Sequence, residues 1–173
     1  GIQRATFVAH SFGAAPVMEA LLHHPSRANS LILIDAALGL DGPQTNGADN
    51  KLQQALRNQW LSQSISAAFL TNPAFTEKLL RNFVTEKEKI TPIWIDLYKK
   101  PLALSSSYQN VALWLPELLA DRGALKSDDR NAYAQIPFPV TLVWGEMDDI
   151  TPLSQAKSLQ TLIPGAKLMT IPR

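Results

Sequence analysis

The sequence predicts an α/β fold: a doubly wound parallel sheet of four strands, interrupted by a long helical insertion. Three observations carry this. Apolar runs of strand length stand near both ends of the chain and alternate with helical patterns. One of them, Leu31-Ile32-Leu33-Ile34, is continuously apolar, as befits a parallel strand buried on both faces. The roughly hundred residues between the second and third strands keep helical spacing throughout.

The first strand is the run Ala5-Thr6-Phe7-Val8, rich in β-formers, and it enters Ala9-His10-Ser11-Phe12-Gly13. A helix follows with Val17, Met18, Leu21 and Leu22 on its apolar face. It ends near His23-His24-Pro25, because proline cannot continue it. With Leu31–Ile34 these pieces make a βαβ unit, whose crossover is right-handed almost without exception. A third strand, Val140–Trp144, follows Pro137 and Pro139 and closes at Gly145. The helix Leu153–Leu162 stops at Pro164-Gly165, and a fourth strand runs over Lys167–Ile171.

Inside the insertion, Leu52, Leu56, Trp60, Ile65 and Phe69 share a helical stripe. Asn72-Pro73 and Thr91-Pro92 each read as an N-cap followed by proline at the first helical position. They open helices through Leu79, Leu80 and Phe83, and through Ile93–Tyr98. Ser105-Ser106-Ser107 precedes a further helix carrying Val111, Leu113, Trp114 and Leu115. Thr85–Lys89 is a solvated charged segment. Trp60, Trp94, Tyr98, Tyr108 and Trp114 read first as core of the insertion and second as the lining of an apolar pocket.

The 173 residues are 46% hydrophobic and 18% charged, ordinary for a globular domain with a sizeable core. A net charge of +1 gives no argument for nucleic acid, an anionic membrane or an acidic substrate. With no cysteine there is no disulfide framework, thiolate metal site or cysteine nucleophile; the absence suits the cytoplasm. No apolar run approaches the ~20 residues that span a bilayer. The chain opens on Gly1 rather than Met, so no signal peptide can be judged.

The chemistry starts at Ser11. A tight turn between strand and helix forces a serine there into a strained conformation and lifts its hydroxyl clear of the chain. Ala9 and Gly13, two before and two after, keep bulky side chains out of the turn. A helix N-terminus beside Ser11 favours negative charge. The backbone N–H of Phe12 would hold part of a tetrahedral oxyanion. The competing reading makes Ser11 a simple helix cap. On Ala9-His10-Ser11-Phe12-Gly13 the chain resembles the α/β-hydrolase superfamily, whose elbow usually reads Gly-x-Ser-x-Gly; Ala9 is the departure. The resemblance implies a serine hydrolase, with the helical insertion as a cap over the site. Residues 1–38 and 137–173 would then form the hydrolase core and residues 39–136 the cap.

The second signal is Gly145-Glu146-Met147-Asp148-Asp149-Ile150-Thr151-Pro152. Catalytic groups in open α/β sheets gather at the carboxyl ends of the strands, so a carboxylate here shares an edge with Ser11. The superfamily pattern Gly-x-x-Asp-x-x-x-Pro is matched by Gly145, Asp148 and Pro152. The resemblance makes Asp148 the acid that orients a histidine, and Asp149 its solvent-facing neighbour. Alternatively, Asp148 caps the following turn. Asp35, after the second strand, is the rival acid.

The histidine is where the chain departs from the family. Only His10, His23 and His24 occur. His10 is directed away by its own turn, and the other two lie about 15 Å off at the far end of the helix. In the family the catalytic histidine follows the last strand, where this chain stops at Ile171-Pro172-Arg173. The strands and the loop before the elbow, which hold the second oxyanion donor, are also lacking. The expectation is therefore a partial domain, inactive by itself, whose complete protein hydrolyses a small ester or related carbonyl substrate. The alternative is a natural truncation that acts as a small-molecule-binding or interaction module. No metal or cofactor is expected: the histidines lack ligand partners at metal spacing, and no glycine-rich phosphate loop is present. Oligomeric state is not encoded in any motif.

Overall fold

Four strands, β1 (Ala5–His10), β2 (Ala28–Ile34), β3 (Val140–Gly145) and β4 (Lys167–Ile171), form one sheet in the order β1-β2-β3-β4. All three pairings are parallel. The computed structural model describes residues 1–40, 48–104, 106–118 and 125–172. Helix α1 (Ala14–His23) connects β1 to β2, and α8 (Leu153–Leu162) connects β3 to β4. The predicted α/β class with a four-stranded parallel sheet is therefore what the chain adopts. Between β2 and β3 the described elements are all helical: α2 (Ala48–Leu56), α3 (Gln59–Ile65), a π-helical turn (Ser66–Leu70), α4 (Pro73–Asn82), α5 (Pro92–Leu102), α6 (Ser107–Leu118) and α7 (Arg130–Tyr133), with short 3-10 turns among them. Ser105 and Arg173, which the sequence reading invoked, lie outside the described residues.

Two compact units result: Gly1–Gly42 with Gly123–Arg173, and Pro43–Arg122. In the first, both crossovers advance the same way across the sheet. Right-handedness puts α1 and α8 on one face. There Ala14, Met18, Leu21, Leu22, Ala156 and Leu159 bury the row Ala9, Leu33 and Leu142 and the row Leu31 and Val140. The opposite face carries Val8, Ile32, Ile34, Val143 and Met169. Val8 stays 60% exposed and Ile32, Ile34 and Val143 are only half-buried. The expected burial of β2 on both faces is thus realised on one side among the described residues, because both connecting helices lie there.

The segment after residue 125 is latched to α1. Glu19 accepts from the backbone N–H of Ser127 (2.7 Å) and Lys126 (3.2 Å), and its carboxylate also meets the His23 ring at 2.9 Å. Lys126 Nζ donates to the Leu22 carbonyl at 2.6 Å, satisfying a last-turn acceptor that the helix leaves open. Burial raises the Glu19 carboxyl, but the Ser127 hydroxyl, the two N–H groups and His23 outweigh it, and the group is held at about 2. Nearby, the fully buried Tyr133 donates to the Ser127 carbonyl. Burial, and then the charges of Asp128 and Glu19, push its phenol well above the ordinary value.

In the second unit the interior is built from small and polar residues. Leu56, Ile95, Ala112, Ser62, Ser66, Thr71 and Thr76 are buried. Pro116 lies inside α6 and has no N–H, which orphans the carbonyl of Ala112, four residues back. Ser62 Oγ donates to that oxygen at 2.8 Å. The predicted aromatic core is not found: Trp60 (77% exposed), Trp94, Tyr98 and Trp114 are open and Tyr108 is half-buried. Of the predicted stripe only Leu56 is buried; Leu52, Trp60 and Phe69 are exposed. The helix breaks between Leu56 and Gln59 and turns π-helical at Ser66, so these residues do not share one face. Proline opens α5 as predicted, but the Thr91 side chain makes no cap bond.

Candidate active site

The chain leaves the sheet side by side at three strand ends. His10 is in register with Ile34, and Ile34 with Val143. Immediately beyond the first pair stand the chain's two described non-glycine residues with positive φ, Ser11 (49°) and Asp35 (41°). Such a backbone costs of order 1–3 kcal/mol and persists only where its surroundings over-determine it. Ser11 opens a 3-10 turn, Ser11–Gly13, that runs into α1. Its carbonyl accepts from Ala14 N–H and from Ala37 N–H (3.0 Å). Its hydroxyl has no hydrogen-bond partner among the described residues, and neither helix start has a side-chain cap. Ser11 is therefore strained and free rather than spent as a cap. The next residue, Phe12, is exposed, and its N–H in the first turn has no intrahelical acceptor. Ala9 is buried in the core-facing row of β1. Gly13 differs from expectation: its φ is −66°, and a Cβ there would meet nothing within 4 Å. Steric crowding among the described residues does not demand glycine at that place.

Asp148 lies three residues beyond β3. Its Oδ1 accepts from the N–H of Ile150 and of Thr151, both at 2.8 Å, and its Oδ2 accepts from Thr151 Oγ1 at 2.7 Å. The turn-capping role weighed from the sequence is thus real. Three donors fix the carboxylate, and Oδ2 keeps a lone pair for one more. The loop around it is stapled. The buried Trp144 indole N–H donates to the Thr151 carbonyl (2.6 Å), Glu146 N–H to Ile171 O (3.0 Å), and Thr170 Oγ1 to Glu146 Oε1 (2.7 Å). Asp149 is exposed, as expected.

Asp35 is half-buried and faces the same loop. Its Oδ1 accepts from Gly145 N–H at 2.9 Å, its N–H donates to Val143 O at 3.1 Å, and its carbonyl lies 3.3 Å from Thr151 Oγ1. Thr151, buried and bonded to Asp148, is a residue the sequence reading passed over. Its signal was the Asp-x-x-Thr spacing, which suits a side-chain-capped turn. The strand-end segments 11–13, 35–40 and 145–152 carry Asp35, Glu146, Asp148 and Asp149 but no lysine or arginine. Their field favours a cation forming nearby.

His10 ends β1 and is exposed, while His23 is engaged by Glu19 at the far end of α1 and His24 lies just beyond it. The structure thus brings Ser11, Phe12 and Asp148 to one sheet edge, and places His23 and His24 elsewhere. Among the described residues no cluster of three or more His, Cys, Asp or Glu could hold a metal ion. Also among them, no helix is long and apolar enough to cross a membrane. A groove of about 460 Å³, lined by Arg4, Ser26 and Phe138 among others, sits at the opposite edge of the sheet.

Comparison with known proteins bears on the fold. Solved structures similar to the chain include a meta-cleavage product hydrolase (CumD) from Pseudomonas fluorescens IP01. The match has a TM-score of 0.69 at 16% identity and covers 99% of this chain and 57% of that one. A thermophilic esterase from Thermogutta terrifontis matches with a TM-score of 0.68 at 17% identity, covering 98% of this chain and 57% of that one. An enzyme described as degrading N-acyl homoserine lactones, Est816, matches at 0.65 and 22% identity, covering 99% and 60%. The chain thus spans less than two thirds of each neighbour's length, and at these identities the likeness shows the fold. A search of curated proteins finds no match. The family profile described as alpha/beta hydrolase fold matches residues 1–173, from the strand before Ser11 to the strand after Asp148, and the chain belongs to that family.

Proposed function

We propose that the chain is the nucleophile- and acid-bearing part of a serine hydrolase acting on a small ester or related carbonyl substrate. One observation carries this reading above the rest: Ser11 has a φ of 49° and a hydroxyl without a partner, at the same sheet edge as Asp148. Ser11 Oγ attacks the substrate carbonyl carbon while a base takes its proton. The carbonyl oxygen becomes an oxyanion held in part by Phe12 N–H. Collapse expels the alcohol with the proton returned by the base, and water then cleaves the acyl-enzyme by the same steps in reverse. The base is a histidine beyond these 173 residues, oriented by Asp148 Oδ2. The helical unit Pro43–Arg122 is the part proposed to set the substrate range.

In the complete protein, Ser11→Ala abolishes labelling by a fluorophosphonate probe. Asp148→Asn lowers kcat by ~10³–10⁴-fold, the loss expected when a histidine loses its orienting carboxylate. Asp149→Asn keeps most activity. Undiminished labelling of the Ser11→Ala protein would refute the assignment. A harmless Asp148→Asn beside a crippling Asp35→Asn would move the acid to Asp35.

A further inference from the structure

We propose that Asp35 is a positioning residue, and that the segment Asp35–Ala37 brackets the two reactive turns at a fixed separation. The inference rests on the serine-hydrolase reading for its kinetic consequence, and on the hydrogen bonds alone for its structural one. Two hydrogen bonds and one close approach define the bracket. Asp35 Oδ1 accepts from Gly145 N–H (2.9 Å), at the root of the Asp148 turn. Asp35 O lies 3.3 Å from the hydroxyl of Thr151, the residue that grips both Asp148 oxygens. Ala37 N–H donates to Ser11 O at 3.0 Å. A three-residue segment thus touches the nucleophile turn with its last residue and the acid turn with its first.

The conformation of Asp35 makes this possible. A φ of 41° turns the chain sharply at the end of β2. That turn sends Ala37 toward Ser11 while the carboxylate reaches across to the neighbouring strand end. Aspartate tolerates this backbone region better than most residues. Gly145 lies between the two carboxylate residues: a Cβ on it would stand 3.8 Å from Asp35 Oδ1 and 3.7 Å from Asp148 Cβ. Asp35 Oδ1 is engaged by Gly145 N–H, and through that bond the residue places the Asp148 turn.

Three substitutions in the complete protein separate the parts. Asp35→Asn keeps an oxygen acceptor and tolerates the backbone; Asp35→Gly relieves the backbone but removes the acceptor; Asp35→Ala removes the acceptor without relieving the backbone. Ester hydrolysis should show kcat within ~3-fold of the parent for Asp35→Asn. For Asp35→Gly and Asp35→Ala it should fall ~10–100-fold with KM within ~3-fold, since an ångström of misplacement costs about that much. Amide hydrogen exchange at Gly145 and Thr151 should quicken at least ~10-fold in the Gly and Ala variants and stay slow in the Asn variant. Rescue by Gly but not by Asn would overturn the bracket, as would unchanged exchange at Gly145 in Asp35→Ala. If the parent protein shows no Ser11-dependent labelling, the hydrolase reading fails, and the exchange measurement still decides the bracket.

Discussion

Neutralising Glu19 tests how α1, the helix that follows Ser11, is tied to the rest of its unit. The carboxylate collects the N–H groups of Ser127 and Lys126, the Ser127 hydroxyl and the His23 ring, and is held at about 2 against an ordinary 4.5. That interval corresponds to ~3 kcal/mol at full strength. The side chain is 23% open to water, so solvent screening reduces the contribution to about 1–2 kcal/mol. Because the folded form lowers the pKa, this stability is complete above pH 4.5 and disappears as pH falls from there through about 2. Glu19→Gln keeps the shape and removes the charge. Thermal melts from pH 7 down to 2 should show the variant melting roughly 3–6 °C lower at pH 7. The two curves should converge by pH 2. A variant that melts with the parent at pH 7, or a gap that persists undiminished to pH 2, would refute the latch.

Other substitutions read the rest of the fold. Ser62→Ala leaves the Ala112 carbonyl, already deprived of its helical partner by Pro116, buried and unpaired, and denaturant titration should show a loss of about 1–3 kcal/mol. Ser66→Ala should be neutral or stabilising in the same titration, because the buried Ser66 hydroxyl has no partner among the described residues. Gly13→Ala should raise stability by about 0.4–1 kcal/mol, since the site is open and its backbone is helical. The 173-residue chain alone should hydrolyse a p-nitrophenyl ester no faster than its own Ser11→Ala variant; a rate well above that variant would show that His10 or another local base serves Ser11.

The sheet was readable from punctuation. Pro164-Gly165 and Gly145 are breakers, and the observed helix Leu153–Leu162 and strand Lys167–Ile171 match their predicted limits. β2 starts earlier than expected, at Ala28, because the polar residues before Leu31 are accommodated at the sheet: Ser30 Oγ and Thr6 Oγ1 lie 2.9 Å apart. The insertion was legible as helix but not as packing. Helical spacing tells which residues share a stripe, not what the stripe faces, and here serine, threonine and alanine fill positions that aromatics were expected to occupy. Ser11 stood out as a candidate because a small-x-Ser-x-small turn has few other uses after a strand. Asp35 was legible only as a rival acid, since nothing local in Ile34-Asp35-Ala36 says that its carboxylate reaches residue 145, across 110 positions of sequence.

The placing of strain also argues for a built site. A turn that needs positive φ is ordinarily given to glycine, which adopts it without a Cβ penalty. At the ends of β1 and β2 the chain instead puts serine and aspartate, in equivalent positions beyond the register pair His10 and Ile34. Glycine there would relieve about 1–3 kcal/mol of strain in each case. What it would forfeit is a side chain: a hydroxyl held clear of the helix at one position, and a carboxylate oxygen bound to Gly145 at the other. Elsewhere among the described residues, positive φ falls on Gly39 and Gly165, as folding alone would choose. The two exceptions stand on adjacent strands at one edge, joined through Ala37 and Ser11. Strain confined to that edge, and borne by side chains with chemistry to offer, is accounted for by the proposed site and not by folding alone.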